Sequence, residues 1–306
     1  MLRGRQYERL RARVSAGCAC LIDATVPYSG DVHPNPRMNQ PPGERADIDG
    51  AAPSSDRRSA ADHFSSRATD YAAYRPRYPA ELFAFLATLP HARELAWDCA
   101  TGNGQAAIPL ADYFTQVVAT DLSEVQIANA ESHARVEYRV APAHASGLRS
   151  RSADLVTVAQ ALHWFDLDAF YAEVRRVLAP GGALAVSSYG SAVIDSPVLA
   201  PIFSRFELET LRDYWPPGRE LVGEALRALP FPFAELRVPH FQLETHWTLT
   251  QLVGYSRSWS ATGRFIEAHG YDPTPELEKE LRASWGSEDR RHSVWWAFVV
   301  RAGREM

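Results

Sequence analysis

The chain has 306 residues, of which 46% are hydrophobic and 23% are charged, a composition that is ordinary for a globular protein. Its formal net charge of -5 gives no electrostatic reason to bind the phosphate backbone of a nucleic acid or an anionic membrane. The three cysteines are too few for a disulfide framework, which favours a reducing cytoplasm, and nothing in the sequence indicates a metal site. No apolar run reaches the ~20 residues needed to span a bilayer.

Residues 1–60 contain much Pro, Gly, Ser, Asp and Arg and too few apolar groups to bury a core. This composition predicts a disordered N-terminal extension, within which Met38 is an alternative start. The first 19 residues lack the continuous apolar stretch of a secretory signal, so we expect a cytoplasmic protein. The pattern changes near Asp62, and residues 61–306 are predicted to form the folded domain.

Strands and helices alternate in the first half of this domain. The predicted strands cover residues 94–98, 116–120, 136–140, 154–159 and 183–187. The predicted helices cover residues 105–112, 123–134 and 166–178. Such alternation indicates βαβ units and a parallel sheet.

Local signals place several of these boundaries. Ser123 and Gln126 have the spacing of a capping box, which begins a helix. Asp166 or Asp168 is expected to cap the next helix, and the Pro-Gly-Gly run at 180–182 ends it. The strands and helices between these boundaries therefore have the lengths that βαβ units require.

Beyond Tyr189 the pattern is looser. Two late strand candidates, 238–243 and 294–301, raise the expected number of strands to seven. The helical material between residues 195 and 290 is expected to cover one end of the sheet. We therefore predict an α/β fold with a mostly parallel seven-stranded sheet and helices on both faces. Its core covers 92–190, and 191–306 supplies the covering region and the last strands.

The turn after the first predicted strand carries the clearest binding motif. Asp98 is followed by small residues that include Gly102 and Gly104, and only small side chains let a ligand lie against the backbone. The helix that follows offers free N–H groups. Asp121 ends the second strand 23 residues after Asp98, where a carboxylate accepts both ribose hydroxyls of an adenosine.

The acid before the glycines separates two classes of adenosine cofactor. A nicotinamide cofactor would place its pyrophosphate in this turn, and Asp98 would repel it. S-adenosylmethionine (SAM) carries an ammonium, which Asp98 attracts. A nicotinamide-dependent oxidoreductase also predicts a Tyr-x-x-x-Lys proton donor, yet Lys279 is the single lysine. SAM is favoured, and a catalytically silent SAM-binding or interaction module stays a further alternative.

The segment 97–105 resembles motif I of class I SAM-dependent methyltransferases, with Ala100 where the family usually has its first glycine. Later family motifs resemble segments 121–123, 154–165 and 177–182, in the right order and spacing. Segments 71–79 and 254–260 resemble the outer signatures of the trans-aconitate methyltransferase-like branch, which has a methyltransferase type 11 domain. The resemblance covers about residues 62–303 and implies a Rossmann-like fold and SAM as the cofactor.

The resemblance also implies which residues bind SAM. They are Tyr71, Asp98, Ala100, Gly102, Gly104, Gln105, Asp121, Leu122, Ala143, His144 and Ala161. Asp98 is expected to steer the ammonium, Asp121 to hold the ribose and Leu122 to pack on the adenine. His144 departs from the family pattern, which has an acid or an amide at this position.

A small-molecule acceptor is implied, and we expect its oxygen, such as that of a carboxylate, to receive the methyl group. A carboxylate is already ionised at pH 7, whereas a hydroxyl or an amine requires a base, for which His163 is the candidate. The predicted acceptor-binding residues are Arg75, His163, Trp164 and Trp259. Because guanidinium groups bind carboxylates in bidentate fashion, Arg77, Arg257 and Arg264 are further candidates. The oligomeric state is left open.

Overall fold

The computed structural model describes residues 74–216 and 218–305. The predicted extension over residues 1–60 and Tyr71 both lie outside the described residues. The strands in this part are β1 (Leu95–Cys99), β2 (Gln116–Asp121), β3 (Val136–Val140), β4 (Ala153–Ala159), β5 (Leu178–Ile194), β6 (Ala234–Glu235), β7 (Leu243–Trp247) and β8 (His292–Arg304). The helices are α1 (Ala80–Leu86), α2 (Ala107–Leu110), α3 (Glu124–Ala128), α4 (Leu167–Val177), α5 (Leu199–Arg205), α6 (Leu249–Arg257), α7 (Ser260–His269) and α8 (Thr274–Trp285).

The strands of the described residues form one sheet in the order β3-β2-β1-β4-β5-β8-β6, with β7 paired to β8. The first five strands of this order are parallel, and β8 runs antiparallel to β5. The α/β, mostly parallel fold is confirmed. The described sheet has eight strands rather than seven because the two-residue β6 pairs with the end of β8.

The sheet is covered on both faces. Consecutive residues of β1 point to opposite sides, so that Ala96 packs in one hydrophobic cluster with Phe114, while Trp97 packs in another with Phe170. Because β1 lies in the middle of the sheet, four of its five residues are buried. Because both faces of the central strands are buried, their sequences are short apolar runs.

Two predicted elements were wrong in their bounds, one in each half of the domain. The late strand predicted over 238–243 does not form, and β7 begins at Leu243 instead. Its buried residues, Leu243 and Trp247, are four apart with polar side chains between them, so β7 has fewer apolar residues than the segment 238–243. The helix expected over 123–134 ends at Ala128, although Ser123 caps it by accepting a hydrogen bond from the Gln126 N–H as predicted.

The parallel strands end along one edge of the sheet, where ligands bind in open α/β folds. Asp98 near the end of β1 is aligned with Ala119 of β2 and with Thr157 of β4. The pairing of β5 with β8 shifts register between Tyr189 and Ala192. Such an irregularity bends a strand, and it falls just beyond Ser187, the last residue of β5 that pairs with β4.

In the described part of the chain, none of the helices combines the length and the apolar character that a bilayer crossing requires.

Candidate functional site

The turn after β1 is wound by left-handed backbone conformations. Ala100, Gly102 and Gly104 have φ angles of 55°, 58° and 92°. A Cβ atom on Gly104 would lie 2.2 Å from the Oη atom of Tyr138, whereas a Cβ on Gly102 would find its nearest neighbour 4.0 Å away, at Gln126 Oε1. Tyr138 therefore closes the turn from β3, a contact that the sequence did not indicate.

Asp98 is 1% exposed, and its carboxylate is held by two hydroxyl groups. Thr101 Oγ1 donates to one oxygen over 2.5 Å, and Thr157 Oγ1 donates to the other over 2.8 Å. Burial raises the pKa of Asp98 to about 6. In the part of the chain that the structure describes, no basic side chain forms an ion pair with it. A buried carboxylate in this setting suits a cationic ligand group.

Asp121, at the end of β2, connects to the same turn. Its Oδ2 atom accepts the N–H of Gly102 over 2.8 Å, and its Oδ1 atom accepts the N–H of Ser123 over 2.9 Å. Burial raises the pKa of this carboxyl group too. Each oxygen has a second lone pair that can accept a ligand hydroxyl. The neighbouring Leu122 is 49% exposed and presents an apolar surface at the same edge.

The loop after β3 carries Ala143, which is half-buried, and His144, which is exposed. It is anchored to α4 by Glu173, whose Oε1 atom accepts the N–H of Ser146 over 2.8 Å and its hydroxyl over 2.5 Å. Burial alone would raise the pKa of Glu173, but hydrogen bonds from Arg176 and Ser146 outweigh it and lower the pKa to about 2. Glu173 was not among the predicted site residues.

The end of β4 leads into Gln160, a non-glycine residue with a φ angle of 58°. Its Oε1 atom accepts the hydroxyl of Ser188 over 2.6 Å and the N–H of Tyr189 over 2.9 Å, while its Nε2 atom donates to the Tyr189 carbonyl over 3.0 Å. Such backbone conformations cost about 1–3 kcal/mol and occur at functional sites. The Gln160 side chain thus continues the pairing with β5 after β4 ends. The next residue, Ala161, is buried.

The two outer signature segments contact one another. A Cβ on Gly254 of α6 would lie 2.7 Å from the ring of Tyr74. The guanidinium of Arg75 lies 5.4 Å from the ring centre of Tyr255, and its Nη2 atom donates to the carbonyl of Ser258 over 3.4 Å. Chain segments that are far apart in sequence therefore meet at this point.

An aromatic row consisting of Tyr255, Trp259 and Trp215 extends from Arg75. The ring centres of Tyr255 and Trp259 are 5.3 Å apart, and those of Trp259 and Trp215 are 5.4 Å apart. Arg219 lies over the Trp215 ring, 4.6 Å from its centre. Trp259 is 3% exposed, so it supports the neighbouring rings and presents little surface of its own.

His163 follows β4 in a short 3-10 turn and is half-buried next to Trp164, with 4.8 Å between the ring centres. Burial, together with the smaller effect of the Arg219 charge, lowers the pKa of His163 to about 4, while the charge of Glu220 opposes the shift. The imidazole is therefore uncharged at neutral pH. Gly218 lies beside it, since a Cβ there would be 3.6 Å from His163 Cδ2.

Residues 97–186 match the family model described as "Methyltransferase domain". A Dictyostelium discoideum protein assigned as a methyltransferase is 35% identical over 231 residues, which make up 74% of this chain and 88% of that protein. A solved structure assigned as a type II methyltransferase, from Anaeromyxobacter dehalogenans, is 44% identical with a TM-score of 0.70. The alignment covers 76% of this chain and 98% of that chain.

The chain belongs to the class I SAM-dependent methyltransferases. SAM is its cofactor, and the family rules out the alternative of a nicotinamide-dependent oxidoreductase. The geometry fits SAM, because a buried acid without a basic partner in the described chain suits the ammonium. The exposed Leu122 beside Asp121 suits an adenosine.

The structure of the methyltransferase brings most of the predicted site residues to one edge of the sheet. Asp98, Ala100, Gly102, Gly104, Gln105, Asp121 and Leu122 lie on the turn after β1 and at the end of β2. Arg257 is engaged elsewhere, because its Nε atom lies 3.0 Å from Asp272 Oδ2. Arg77 is exposed, and Arg264 is half-buried on α7. Tyr71 lies outside the described residues.

Proposed function

We propose that this methyltransferase transfers the methyl group to a carboxylate oxygen of a small-molecule acceptor. The proposal depends chiefly on His163, the predicted base. A side chain with a pKa of about 4 is a weak base, far from the value near 7 that suits general-base catalysis. A carboxylate is ionised without help at neutral pH, so it needs no base.

The contacts of the outer segments support an anionic acceptor of the trans-aconitate branch type. Tyr74 packs on Gly254, and Arg75 lies over Tyr255, so that the two signature segments form one surface. Arg75 places a permanent positive charge at the end of the aromatic row. A guanidinium of this kind recognises a carboxylate by charge-assisted hydrogen bonds.

On the cofactor side, we propose that Asp98 holds the ammonium, Asp121 the ribose hydroxyls and Leu122 one face of the adenine. Gly102 and Gly104 allow the methionine part to approach the backbone, and Ala161 borders the sulfonium. Tyr71, Ala100, Gln105, Ala143 and His144 complete the proposed cofactor-binding set. Bound SAM supplies a methyl group on a positively charged sulfur, which leaves as a neutral thioether.

Because the transfer neutralises charge, the chain's own contribution is alignment and exclusion of water. A hydrogen bond joins Gln160, which follows β4, to Ser188 in β5 and fixes the backbone at the end of β4. We propose that Trp164 and His163 line the acceptor's path as uncharged walls. The in-line geometry is then set by rigid elements rather than by a titrating group.

The test combines binding with product analysis. Calorimetric titration with SAM is expected to show micromolar affinity, and incubation with SAM and a panel of carboxylic acids is expected to yield methyl esters. Mass spectrometry identifies the ester, and alkaline hydrolysis releases methanol from it. Methylation of amines or alcohols with no ester from any acid would overturn the proposed acceptor class while leaving the family assignment intact.

A further inference from the structure

The loop between β3 and β4 begins beside the proposed ribose ligand, Asp121. Residues 141–152 form neither a helix nor a strand. The N–H of Ala141 donates to the backbone carbonyl of Asp121 over 3.0 Å, so the start of the loop is tied to the end of β2. Leu122 and Val140 flank this point and are each 49% exposed. The loop therefore starts next to an open apolar surface of the kind that an adenine ring covers.

The turn 142–145 is the part of the loop closest in sequence to this surface. The carbonyl of Pro142 accepts the N–H of Ala145 over 3.1 Å, which closes a four-residue turn with Ala143 and His144 at its centre. Among the described residues, no hydrogen-bond partner faces the backbone N–H of Ala143 or of His144. The turn thus has polar backbone groups that are available to a ligand.

Helix α4 holds the loop immediately after this turn. Glu173 is 6% exposed, and its Oε1 atom accepts both the N–H and the hydroxyl of Ser146. Ser146 Oγ in turn accepts the N–H of Leu148 over 3.2 Å. Arg176 donates from Nη2 to the Leu148 carbonyl over 2.8 Å and from Nη1 to Ser150 Oγ over 3.1 Å. The second half of the loop is therefore bound to one face of α4.

Glu173 joins these contacts into one network. Its two oxygens accept the Nε and Nη2 atoms of Arg176 over 2.6 Å and 2.8 Å, so the carboxylate is fixed from the helix side as well. Ser146 is 1% exposed, and its two donors need an acceptor because burial withdraws them from water. Without the carboxylate, the loop would keep its tie to β2 but lose this anchor two residues after His144.

We propose that Glu173 is a positioning residue for the adenine of SAM. By fixing Ser146, it orients the turn 142–145 toward the ring edge that carries N1 and the amino group. The inference rests on the proposed function, because the turn belongs to the proposed cofactor-binding set. Leu122 contacts a face of the ring in that proposal, whereas the turn recognises its edge. Glu173 therefore acts on the choice of base without touching the cofactor.

The experiment measures this choice with two ligands that differ only at that edge. S-adenosylhomocysteine has an acceptor at N1 and an amino group beside it. S-inosylhomocysteine has an N1–H donor and a carbonyl, so every hydrogen bond to the edge is reversed. Calorimetry is expected to show that wild-type protein binds the adenosine ligand at least about 10-fold more tightly, because the wrong base leaves polar groups unpaired.

Two variants of Glu173 separate its roles. Glu173→Met has a similar length but removes the acceptor, so the dissociation constant of S-adenosylhomocysteine should rise about 10-fold and the preference for adenosine should fall below about threefold. Glu173→Gln retains an acceptor oxygen for Ser146 and should keep both values within about threefold of the wild type. Glu276→Met is the control, because Glu276 is exposed on α8 and pairs with Lys279 at the same three-residue spacing.

The ratio of the two dissociation constants distinguishes positioning from stability. A general loss of stability would weaken both ligands by the same factor, and this result in Glu173→Met, or unchanged constants, would overturn the role of Glu173 while the proposed cofactor-binding set stands. Equal binding of the two ligands by wild-type protein would instead remove the turn from adenine recognition, and the role of Glu173 with it. If circular dichroism shows that Glu173→Met does not fold, Ser146→Ala decides, and it should lower the preference about threefold.

Discussion

The proposed cofactor side and the proposed acceptor side of this methyltransferase are built in different ways. On the cofactor side, backbone N–H groups and short side chains close in sequence make the contacts, as Gly102 and Ser123 do with Asp121. On the acceptor side, long side chains from remote segments meet, as when Arg75 donates to Ser258, 183 positions away. A shared cofactor can be held by backbone geometry, whereas the acceptor is selected by side chains.

This difference predicts that substitutions separate into two groups. Changes at the strand ends near β1 and β2 should alter the SAM dissociation constant, and changes along the aromatic row should alter the acceptor KM. A substitution that moved both constants equally would indicate one shared pocket instead of two halves.

The largest effect is expected for Gly104→Ala. The new Cβ would lie 2.2 Å from Tyr138 Oη, and the φ angle of 92° is unfavourable for alanine. Overpacking and backbone strain together cost several kcal/mol, so the SAM dissociation constant should rise at least about 30-fold. Calorimetry measures this directly.

Gly102→Ala is the matched control for that substitution. Its Cβ would have its nearest neighbour at 4.0 Å, so only the strain of a left-handed alanine, about 1–2 kcal/mol, is expected. Equal affinities in Gly104→Ala and the wild type would show that the turn after β1 is not closed by Tyr138 as described.

Asp98→Asn is expected to weaken SAM binding while stabilising the protein without SAM. Losing a charged hydrogen bond to the ammonium costs about 1.5–3 kcal/mol, which is about 10- to 150-fold in affinity. The ordinary pKa of 3.8 is raised to about 6, so the charged form is disfavoured in the folded state by up to about 3 kcal/mol. Asparagine removes this charge, and its amide can still pair with the hydroxyls of Thr101 and Thr157.

The raised pKa of Asp98 predicts how stability and SAM affinity change with pH. Because the folded state holds the proton more tightly than the unfolded state, the free energy of unfolding without SAM should fall as pH rises from about 4 to 6. SAM affinity should instead fall as pH drops below about 6, since protonation removes the counter-charge. Denaturant unfolding and calorimetry over pH 4–8 test both trends, and Asp98→Asn should flatten them. Parallel pH profiles in variant and wild type would assign the titration to another group.

Arg75→Ala is expected to affect the acceptor side alone. Removing its charge should raise the acceptor KM about 10-fold or lower kcat, because a carboxylate loses its charge-assisted partner. SAM affinity should stay within about twofold. Arg93→Ala, at an exposed arginine in the loop before β1, serves as the control. Unchanged KM and kcat in Arg75→Ala, with ester formation intact in the wild type, would remove Arg75 from acceptor recognition.

The same division explains what the sequence could predict. β3 has the predicted bounds, and β1 and β2 differ from theirs by one residue or less at each end, because these strands are short apolar or alternating runs. Tyr138, Gln160 and Glu173 were missed since their roles depend on left-handed backbone conformations and on bonds across segments. No local period encodes such contacts.

The acceptor side was predicted least well for a related reason. The ion pair between Arg219 and Glu207 was not predicted, because Arg219 follows a Pro-rich stretch without a helix or strand pattern. Its partner Glu207 comes from a π-helical turn, which hydrophobic periodicity does not distinguish from an ordinary helix. Even Arg257, which lies in a recognisable segment, pairs with Asp272. The family resemblance identified the signature segments, but the contacts of their side chains became visible only in the folded structure.

Ala100→Gly is expected to give the smallest effect. Alanine with a φ angle of 55° costs about 1–2 kcal/mol, and glycine removes that strain while losing about 0.4–1 kcal/mol to the greater freedom of the unfolded chain. The net stabilisation should therefore be roughly 0.5–1 kcal/mol by urea unfolding, with SAM affinity unchanged within about threefold. Ala172→Gly, at an exposed position inside α4, is the control and should lose stability. No gain from Ala100→Gly would mean that the Ala100 methyl group, packed on the cluster around Trp97 and Phe170, offsets its backbone strain. The alanine at the family's first glycine would then be a packing residue of this turn.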